Sequence, residues 1–480
     1  MTPLWTSDEI AAATDGVANL DFAVTGVAFD SREIGPGDLF VAMKGEATDG
    51  HLFVDRAFQS GAAGALVSVE MAHPHVRVAD ANRALDALGA ASRARASARV
   101  IGVTGSVGKT STKEALFAAL DRGDPGRCHR SVKSYNNHTG VPLSLARMPR
   151  ESRFGVFEMG MNHAGELSAL TRLVRPHVAL VTAIASAHRE FFASEEEIAD
   201  AKGEIFQGLE PGGTAIIPFD SPHRDRLVAA ARPYAGRILT FGLGEGADIR
   251  ATYVIKGAKG GTMMTATLPN AQLSLTISQP GEHWVSNALA VLGAVDAVGG
   301  DLAVAGLALA DLGGIKGRGQ RHRIAVGGGE AVLIDESYNA NPASMAATLS
   351  VLGGEAVDGR RIAVLGAMRE LGEDSADFHA ALADPVKAAK VDFAILVGAE
   401  MEALAKALGA QVDLAHVPDA AAAIELARES IGPGDVMLVK GSNSIGLAAL
   451  VEALSGNHSG TAAARGLSYT AAHALGTDTD

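Results

Sequence analysis

Val100-Ile101-Gly102-Val103-Thr104-Gly105-Ser106-Val107-Gly108-Lys109-Thr110-Ser111 is the run whose reading decides the fold. Val100 to Val103 reads as an apolar strand and Thr112 to Leu120 as a helix, so the glycines fall in the loop between them. In that setting Gly105 and Gly108 let backbone N–H groups turn toward phosphate oxygens. The helix start adds positive potential, Lys109 neutralises charge and Thr110 is suited to ligate Mg²⁺. With Ser106, Val107 and Ser111 this makes a cradle for a nucleoside triphosphate. A bare glycine-rich turn with an exposed lysine is the competing reading, which the flanking strand and helix disfavour. Val103 stands five positions before Gly108, so the run departs from the general G-x-x-x-x-G-K-[ST] pattern.

Outward from this loop, strands and helices alternate. Gly155 to Glu158, Val178 to Ile184 and Thr214 to Ile217 read as strands separated by helical patterns, which favours a mainly parallel sheet covered on both faces. Upstream, Arg83 to Arg99 reads as a helix. Before it come short strand-like runs, Val24 to Phe29 and Leu39 to Met43, between Gly-Pro-Gly and Asp-Gly turns. The glycine cluster Gly313 to Gly319 marks a second boundary. Beyond it Val332 to Ile334, Ile362 to Leu365, Ala394 to Val397 and Val436 to Val439 again alternate with helices. The expected fold class is α/β in three domains: a small mixed α/β unit at 1–85, a central phosphate-loop ATPase with a mainly parallel sheet at 86–313, and a Rossmann-like unit at 314–454. Residues 455–480, rich in Gly, Ser, Thr and Ala, read as a flexible tail.

The composition agrees with this division. A chain of 480 residues exceeds one ordinary core. Apolar residues at 47% and charged residues at 20% are ample for globular packing. No uninterrupted apolar run is long enough for a membrane span, and the first residues do not read as a secretory signal. The lone cysteine, Cys128, leaves no intrachain disulfide and suits a reducing cytoplasm. A formal charge of −14 disfavours binding to nucleic acid.

Several segments, taken in order, resemble the Mur ligase family, and within it the branch that adds D-alanyl-D-alanine; the resemblance covers about residues 24 to 454. Thr104-Gly105 through Lys109-Thr110 matches its T-G-x-x-G-K-[ST] loop. Asp30-Ser31-Arg32, Gly37-Asp38-Leu39-Phe40 and Asp49-Gly50-His51 are similar to its uridine-nucleotide domain. Asn136-Asn137-His138-Thr139-Gly140-Val141-Pro142 resembles its Asn-rich loop. The resemblance assigns substrate binding to Ser31, Arg32, Asn137, His138 and Thr139. It assigns metal binding to Glu158 in Phe157-Glu158-Met159-Gly160 and to His188 in Ser186-Ala187-His188. Glu158 also ends a strand, where open parallel sheets present ligand sites, and a hard carboxylate suits Mg²⁺.

Lys202 carries both kinds of argument. On a helix from Ser194 to Leu209, Ile198, Ala199, Ile205 and Phe206 surround it, while Glu196, Glu197, Asp200 and Glu204 fall opposite. A snorkelling lysine would fit that pattern too. The match of Ala201-Lys202-Gly203-Glu204-Ile205 to the family implies a carbamylated lysine that helps hold metal. Desolvation favours the neutral amine that carbamylation needs. His283 and Asn287, in Gly281-Glu282-His283-Trp284-Val285-Ser286-Asn287-Ala288, match a segment near the nucleotide, although Trp284 replaces the usual asparagine and receives no role. Arg318, in Gly317-Arg318-Gly319, matches the arginine that reaches ATP from the domain boundary. Asp335-Glu336-Ser337-Tyr338-Asn339-Ala340-Asn341-Pro342 is close to D-D-S-Y-N-A-N-P, and Asp335 is expected at the nucleotide. Leu365-Gly366-Ala367-Met368-Arg369-Glu370-Leu371-Gly372 and Lys440-Gly441-Ser442-Asn443 also match, with Glu336, Ala367 and Asn443 as departures. The D-N-P-R stretch of diaminopimelate-adding relatives is absent.

The resemblance implies a cytoplasmic ATP-dependent amide ligase, expected as a monomer. ATP phosphorylates the carboxylate of a UDP-N-acetylmuramoyl-tripeptide, and the amine of D-alanyl-D-alanine attacks the acyl phosphate. Lys109, Glu158, His188, Lys202, Arg318 and two Mg²⁺ ions carry the chemistry. The alternatives are another Mur-like amide ligase, including one acting on a folate, and a nucleotide-binding switch that retains the loop.

Overall fold

A computed structural model describes residues 3–45, 48–186, 190–257 and 261–456. Its strands form three large sheets in chain order, each inside its own α/β unit, as the alternation of patterns predicts. In every sheet the central strands are apolar on consecutive positions, because each face packs against a separate core. In the central unit Ile101, Val103, Val156, Leu180 and Ile216 enter one core. Val100, Phe157, Val181, Ala215 and Ile217 enter the other.

The first sheet has five strands, ordered Val17–Ala18, His75–Arg77, Gly64–Val67, Asp38–Val41 and Gly26–Ala28, all parallel except the first. The helix Ala81–Arg95 follows, its N-terminus capped by the Asp80 side chain, which accepts from the N–H groups of Asn82 and Arg83. It runs across residues 85 and 86 and packs against the helix Gly140–Ala146 of the next unit. Gly89 allows the close approach there, since a Cβ would stand 3.0 Å from the Pro142 carbonyl oxygen. At the far end of this helix Arg95 lies over the Trp5 ring, whose Nε1 donates to the Ala146 carbonyl at 2.9 Å. The first and central units are therefore tightly joined.

The central sheet has nine strands. Cys128–Arg130, Phe154–Glu158, Arg99–Thr104, Val178–Val181, Thr214–Pro218, Arg237–Gly242 and Ile249–Lys256 pair in parallel in that spatial order. Thr262–Leu268 and Ala271–Ile277 then extend the edge in antiparallel fashion. The third sheet has six strands: the hairpin Gln320–Val326 and Gly329–Glu336, then Val436–Lys440, Arg361–Gly366, Phe393–Val397 and Asp413–Val417 in parallel. Among the described residues no helix is long and apolar enough to cross a membrane.

Two local differences from the sequence reading have clear causes. The helix bearing Lys202 spans only Glu195–Gly203, and its continuation Glu204–Gly208 tightens to a 3-10 turn. The Glu204 carboxylate is spent there on the N–H groups of Gly165 and Ser168. Val178 to Ile184 keeps strand geometry only to Val181, because Thr182 and Ala183 turn to meet the phosphate loop. The tail reading falls mostly on residues 457–480, outside those described.

Candidate active site

The phosphate loop emerges from the strand Arg99–Thr104 of the nine-stranded sheet and feeds the helix Lys109–Gly123. Two positions need glycine. Gly105 has φ +148° and Gly108 φ +87°, and a Cβ on Gly105 would lie 1.9 Å from Thr182 Oγ1. The neighbouring strand anchors the loop: Ser106 N–H donates to the Ala183 carbonyl at 2.8 Å, and Ala185 N–H donates to Ser106 Oγ at 3.1 Å. Lys109 Nζ folds over the loop and donates to the Gly105 carbonyl at 2.7 Å. Burial lowers the Lys109 pKa and Arg318 adds to that, while Glu158 and Glu370 oppose it. Groups from distant parts of the chain therefore face one ammonium.

Thr110 and Glu158 meet directly. Thr110 Oγ1 donates to Glu158 Oε2 at 2.9 Å, and the carboxylate is only 1% exposed. Its other oxygen accepts from Asn136 Nδ2 at 2.8 Å. Both oxygen donors are hard, as a Mg²⁺ site requires. Lys202 is fully buried, and so are Ile198, Ala199, Ile205 and Phe206, the apolar positions of the helical pattern. Its pKa is pushed well below the usual lysine range, first by burial and then by the Lys109 charge. His188 lies outside the described residues.

Two adjoining cavities open above the loop. The larger, about 330 Å³, is lined by Ser106 to Ser111, His283 and Asn287 from the central unit and by Arg318, Glu336 and Lys440 from the third. His283 is pushed down to about 4 by burial and by the Lys440 charge, so its imidazole is neutral at pH 7. Arg318 stacks over the Tyr338 ring at 4.2 Å. Lys440 Nζ donates to the Asn339 carbonyl at 2.9 Å and lies 3.7 Å from Glu336. Burial pushes Glu336 up and Lys440 down, and their mutual attraction opposes both shifts. The second cavity, about 280 Å³, shares Ser106, Lys109 and Arg318 with the first and adds Glu158, Arg369 and Glu370.

Asp335 does not line either cavity; Glu336 lines the larger one. The Asp335 carboxylate, 1% exposed, accepts from Gly317 N–H at 2.7 Å and from Ser337 Oγ at 2.6 Å, which ties the linker to the strand end. At this strand end the wall of the larger cavity is formed by Glu336, one position beyond the Asp335 expected at the nucleotide. In the Asn-rich loop the two adjacent asparagines have different partners. Asn136 reaches Glu158, whereas Asn137 Oδ1 accepts from Thr139 and Gly140 N–H groups and braces the following helix. His138 is exposed and Thr139 partly buried. In the first unit Ser31 is buried and Arg32 pairs with Asp30 at 2.6 Å. That turn lies beside the Asn-rich loop, because Tyr135 Oη donates to Glu33 at 2.8 Å. Trp284, which stands where the family usually has asparagine, lines the larger cavity. Asn136, Glu336, Lys440 and Glu370 all lie within the family-like segments of the sequence.

Family models match nearly the whole described chain: the Mur ligase family catalytic domain at residues 23–99, the Mur ligase middle domain at 103–295, and the Mur ligase glutamate ligase domain at 317–443. The chain is 36% identical over 442 residues to the UDP-N-acetylmuramoyl-tripeptide–D-alanyl-D-alanine ligase of Escherichia coli, covering 91% of this chain and 95% of that one. The enzyme of the same name from Bacillus subtilis is 32% identical over 441 residues, covering 90% and 93%. Among solved structures, MurF from Acinetobacter baumannii superposes with a TM-score of 0.81 at 30% identity, covering 94% of this chain and 99% of that chain. MurF from Thermotoga maritima in complex with ADP gives 0.75 at 26% identity, covering 90% and 97%.

Proposed function

The chain belongs to the Mur ligase family, and from that membership we infer that it joins D-alanyl-D-alanine to UDP-N-acetylmuramoyl-tripeptide at the expense of ATP, in peptidoglycan precursor synthesis. The observation that carries the reading is the pair of cavities meeting at Ser106, Lys109 and Arg318. A phosphoryl group held between those residues faces a nucleotide on one side and has room for a carboxylate and an amine on the other.

The first unit, 1–85, takes the uridine nucleotide, with Ser31, Arg32, Asn137, His138 and Thr139 at or near that substrate. The central unit, 86–313, holds ATP through the Gly105 to Ser111 loop, His283 and Asn287. The third, 314–454, brings Arg318 and Glu336 to the nucleotide and receives the dipeptide beside Arg369 and Glu370. The γ-phosphoryl group passes to the tripeptide carboxylate, giving an acyl phosphate and ADP. The dipeptide amine adds to the acyl carbon, loses a proton, and phosphate leaves as the amide forms. Lys109 and Arg318 stabilise the charge that spreads over the phosphoryl oxygens. Thr110, Glu158, His188 and Lys202 are the residues that would hold two Mg²⁺ ions, whose chemistry is to neutralise phosphate charge and polarise the phosphoryl group. Lys202 takes part as its carbamate. The buried Glu158 carboxylate with the Thr110 hydroxyl, and the neutral-amine tendency of Lys202, are the features that fit this assignment. We propose further that the enzyme acts as a monomer, which two cavities lined by a single chain support, and that it works in the cytoplasm, as its use of ATP and a UDP-linked substrate suggests.

ADP release across substrate combinations tests the reading. ADP should form rapidly only when the UDP-linked tripeptide and D-alanyl-D-alanine are both present, with a product mass equal to their sum less water. Equal stimulation by D-alanine alone would overturn the dipeptide assignment.

A further inference from the structure

Lys113 lies one helical turn after Thr110, on the same face of the helix Lys109–Gly123. Its side chain is fully buried, and it lines neither cavity. A buried ammonium is costly unless it is paired and hydrogen-bonded, so its partners define its purpose. Nζ donates to the Lys133 carbonyl at 2.6 Å and lies 3.0 Å from Glu114 and 3.8 Å from Glu158. Arg130 pairs with Glu114 at 2.9 Å, so Glu114 is shared between two cations while Lys113 also faces the buried Glu158.

The segment from Ser131 to Asn136 makes this arrangement more than local. Ser131 Oγ accepts from Glu158 N–H at 3.1 Å, and Asn136 Nδ2 donates to the Glu158 carboxylate. Between them, Lys133 holds a left-handed backbone, φ +53°, which a non-glycine residue adopts only when its surroundings impose it. The bond from Lys113 to the Lys133 carbonyl supplies that constraint. On its other side the segment grips the first unit: Lys133 Nζ pairs with Glu33, and Tyr135 Oη donates to the same carboxylate.

We propose that Lys113 is a positioning residue that pins the Ser131–Asn136 segment to Glu158, so that docking of the uridine-nucleotide unit at Glu33 sets the carboxylate that serves phosphoryl transfer. The path runs Glu33, Lys133, Lys113, Glu158, and each step is a direct contact. This rests on the ligase reading and adds a coupling between its two substrate sides.

The test is a double-variant cycle on the full chain, assayed by ADP release with both substrates. Lys113→Met removes the donor and the charge at similar volume. It should lower kcat by about ten-fold while the KM for ATP stays within about two-fold, since Lys113 does not line the nucleotide cavity. Lys113→Arg, which keeps charge and donors, should recover part of the loss. Glu33→Gln should also lower turnover, and the double variant should lose no more than the worse single one, because both cut the same path. Losses that multiply, or a folded Lys113→Met with wild-type kcat, would overturn the coupling. If Lys113→Met does not give a cooperative melt, Lys113→Arg and Glu33→Gln form the cycle with the same criterion. Wild-type ADP release that ignores the UDP-linked tripeptide would instead defeat the ligase reading, so the two failures are distinguishable.

Discussion

At the scale of single residues, Lys202 makes the strongest chemical demand. Its neighbours on the helix face are fully buried, and both burial and Lys109 disfavour the ammonium. A pKa depressed in this way leaves more neutral amine at working pH, and the neutral amine is the form that adds CO₂ with loss of a proton. The resulting carbamate replaces a repelled cation by an anion facing Lys109. Lys202→Ala should therefore lose most activity, and a short carboxylic acid in solution should restore part of it by filling the vacated volume. Lys202→Arg should stay inactive, because guanidinium keeps its charge and forms no such carbamate. Wild-type turnover in Lys202→Arg would refute the modification. The pattern that exposes Lys202 to a sequence reader is its place on an apolar helical face. Lys113 has no such signature: Thr112-Lys113-Glu114 reads as an ordinary polar helix segment, and only the approach of the Lys133 carbonyl reveals its burial.

Among elements, the end of the strand Gly329–Glu336 shows where sequence reasoning stops. The acidic pair Asp335-Glu336 is legible as a strand-end feature, yet alternate residues point to opposite sides, and the motif does not say which side is the cavity. The structure gives Glu336 to the cavity and Asp335 to the linker, where it accepts from Gly317 N–H and Ser337 Oγ. Asp335→Ala leaves the buried Gly317 N–H without its acceptor, which costs about 1–3 kcal/mol. The expected result is a fall of several degrees in melting temperature and a raised KM for ATP, as Arg318 loses its tether. Asp335→Asn, which keeps a carbonyl oxygen, should be milder; equal melting temperatures for Asp335→Ala and wild type would refute the linker role. Strands such as Arg99–Thr104 and helices such as Pro342–Gly353 were readable because local chemistry specifies them: an apolar run closed by glycine, and an Asn341 cap with Pro342 in the first turn. Asn136 was not separable from Asn137, since either amide suits a loop and only tertiary contact assigns one to Glu158.

For the whole molecule, the decisive fact is that neither the central nor the third unit owns the nucleotide cavity. The central unit supplies the phosphate loop, His283 and Asn287; the third supplies Arg318, Glu336 and Lys440. Contacts elsewhere keep the two in register, including Lys256 Nζ to the Gly354 carbonyl at 2.7 Å and Glu190 N–H to the Glu370 carbonyl at 3.3 Å. On the proposed reading the loop side gathers the nucleotide, and Arg318, at the boundary, adds its charge when the third unit is seated. Binding and chemistry should then separate by mutation. Arg318→Ala should lower kcat by about 100-fold or more, the scale for removing one charge-stabilising donor, while nucleotide affinity falls by less than about ten-fold. Arg318→Lys should recover only part, because an ammonium lacks the planar fork and stacks poorly on Tyr338. Steady-state ADP release gives kcat, and calorimetric titration with ADP gives affinity on the same preparations. An Arg318→Ala variant that loses nucleotide affinity while kcat stays at the wild-type value would mean that the arginine serves ground-state binding alone, and closure would then have no part in the chemical step.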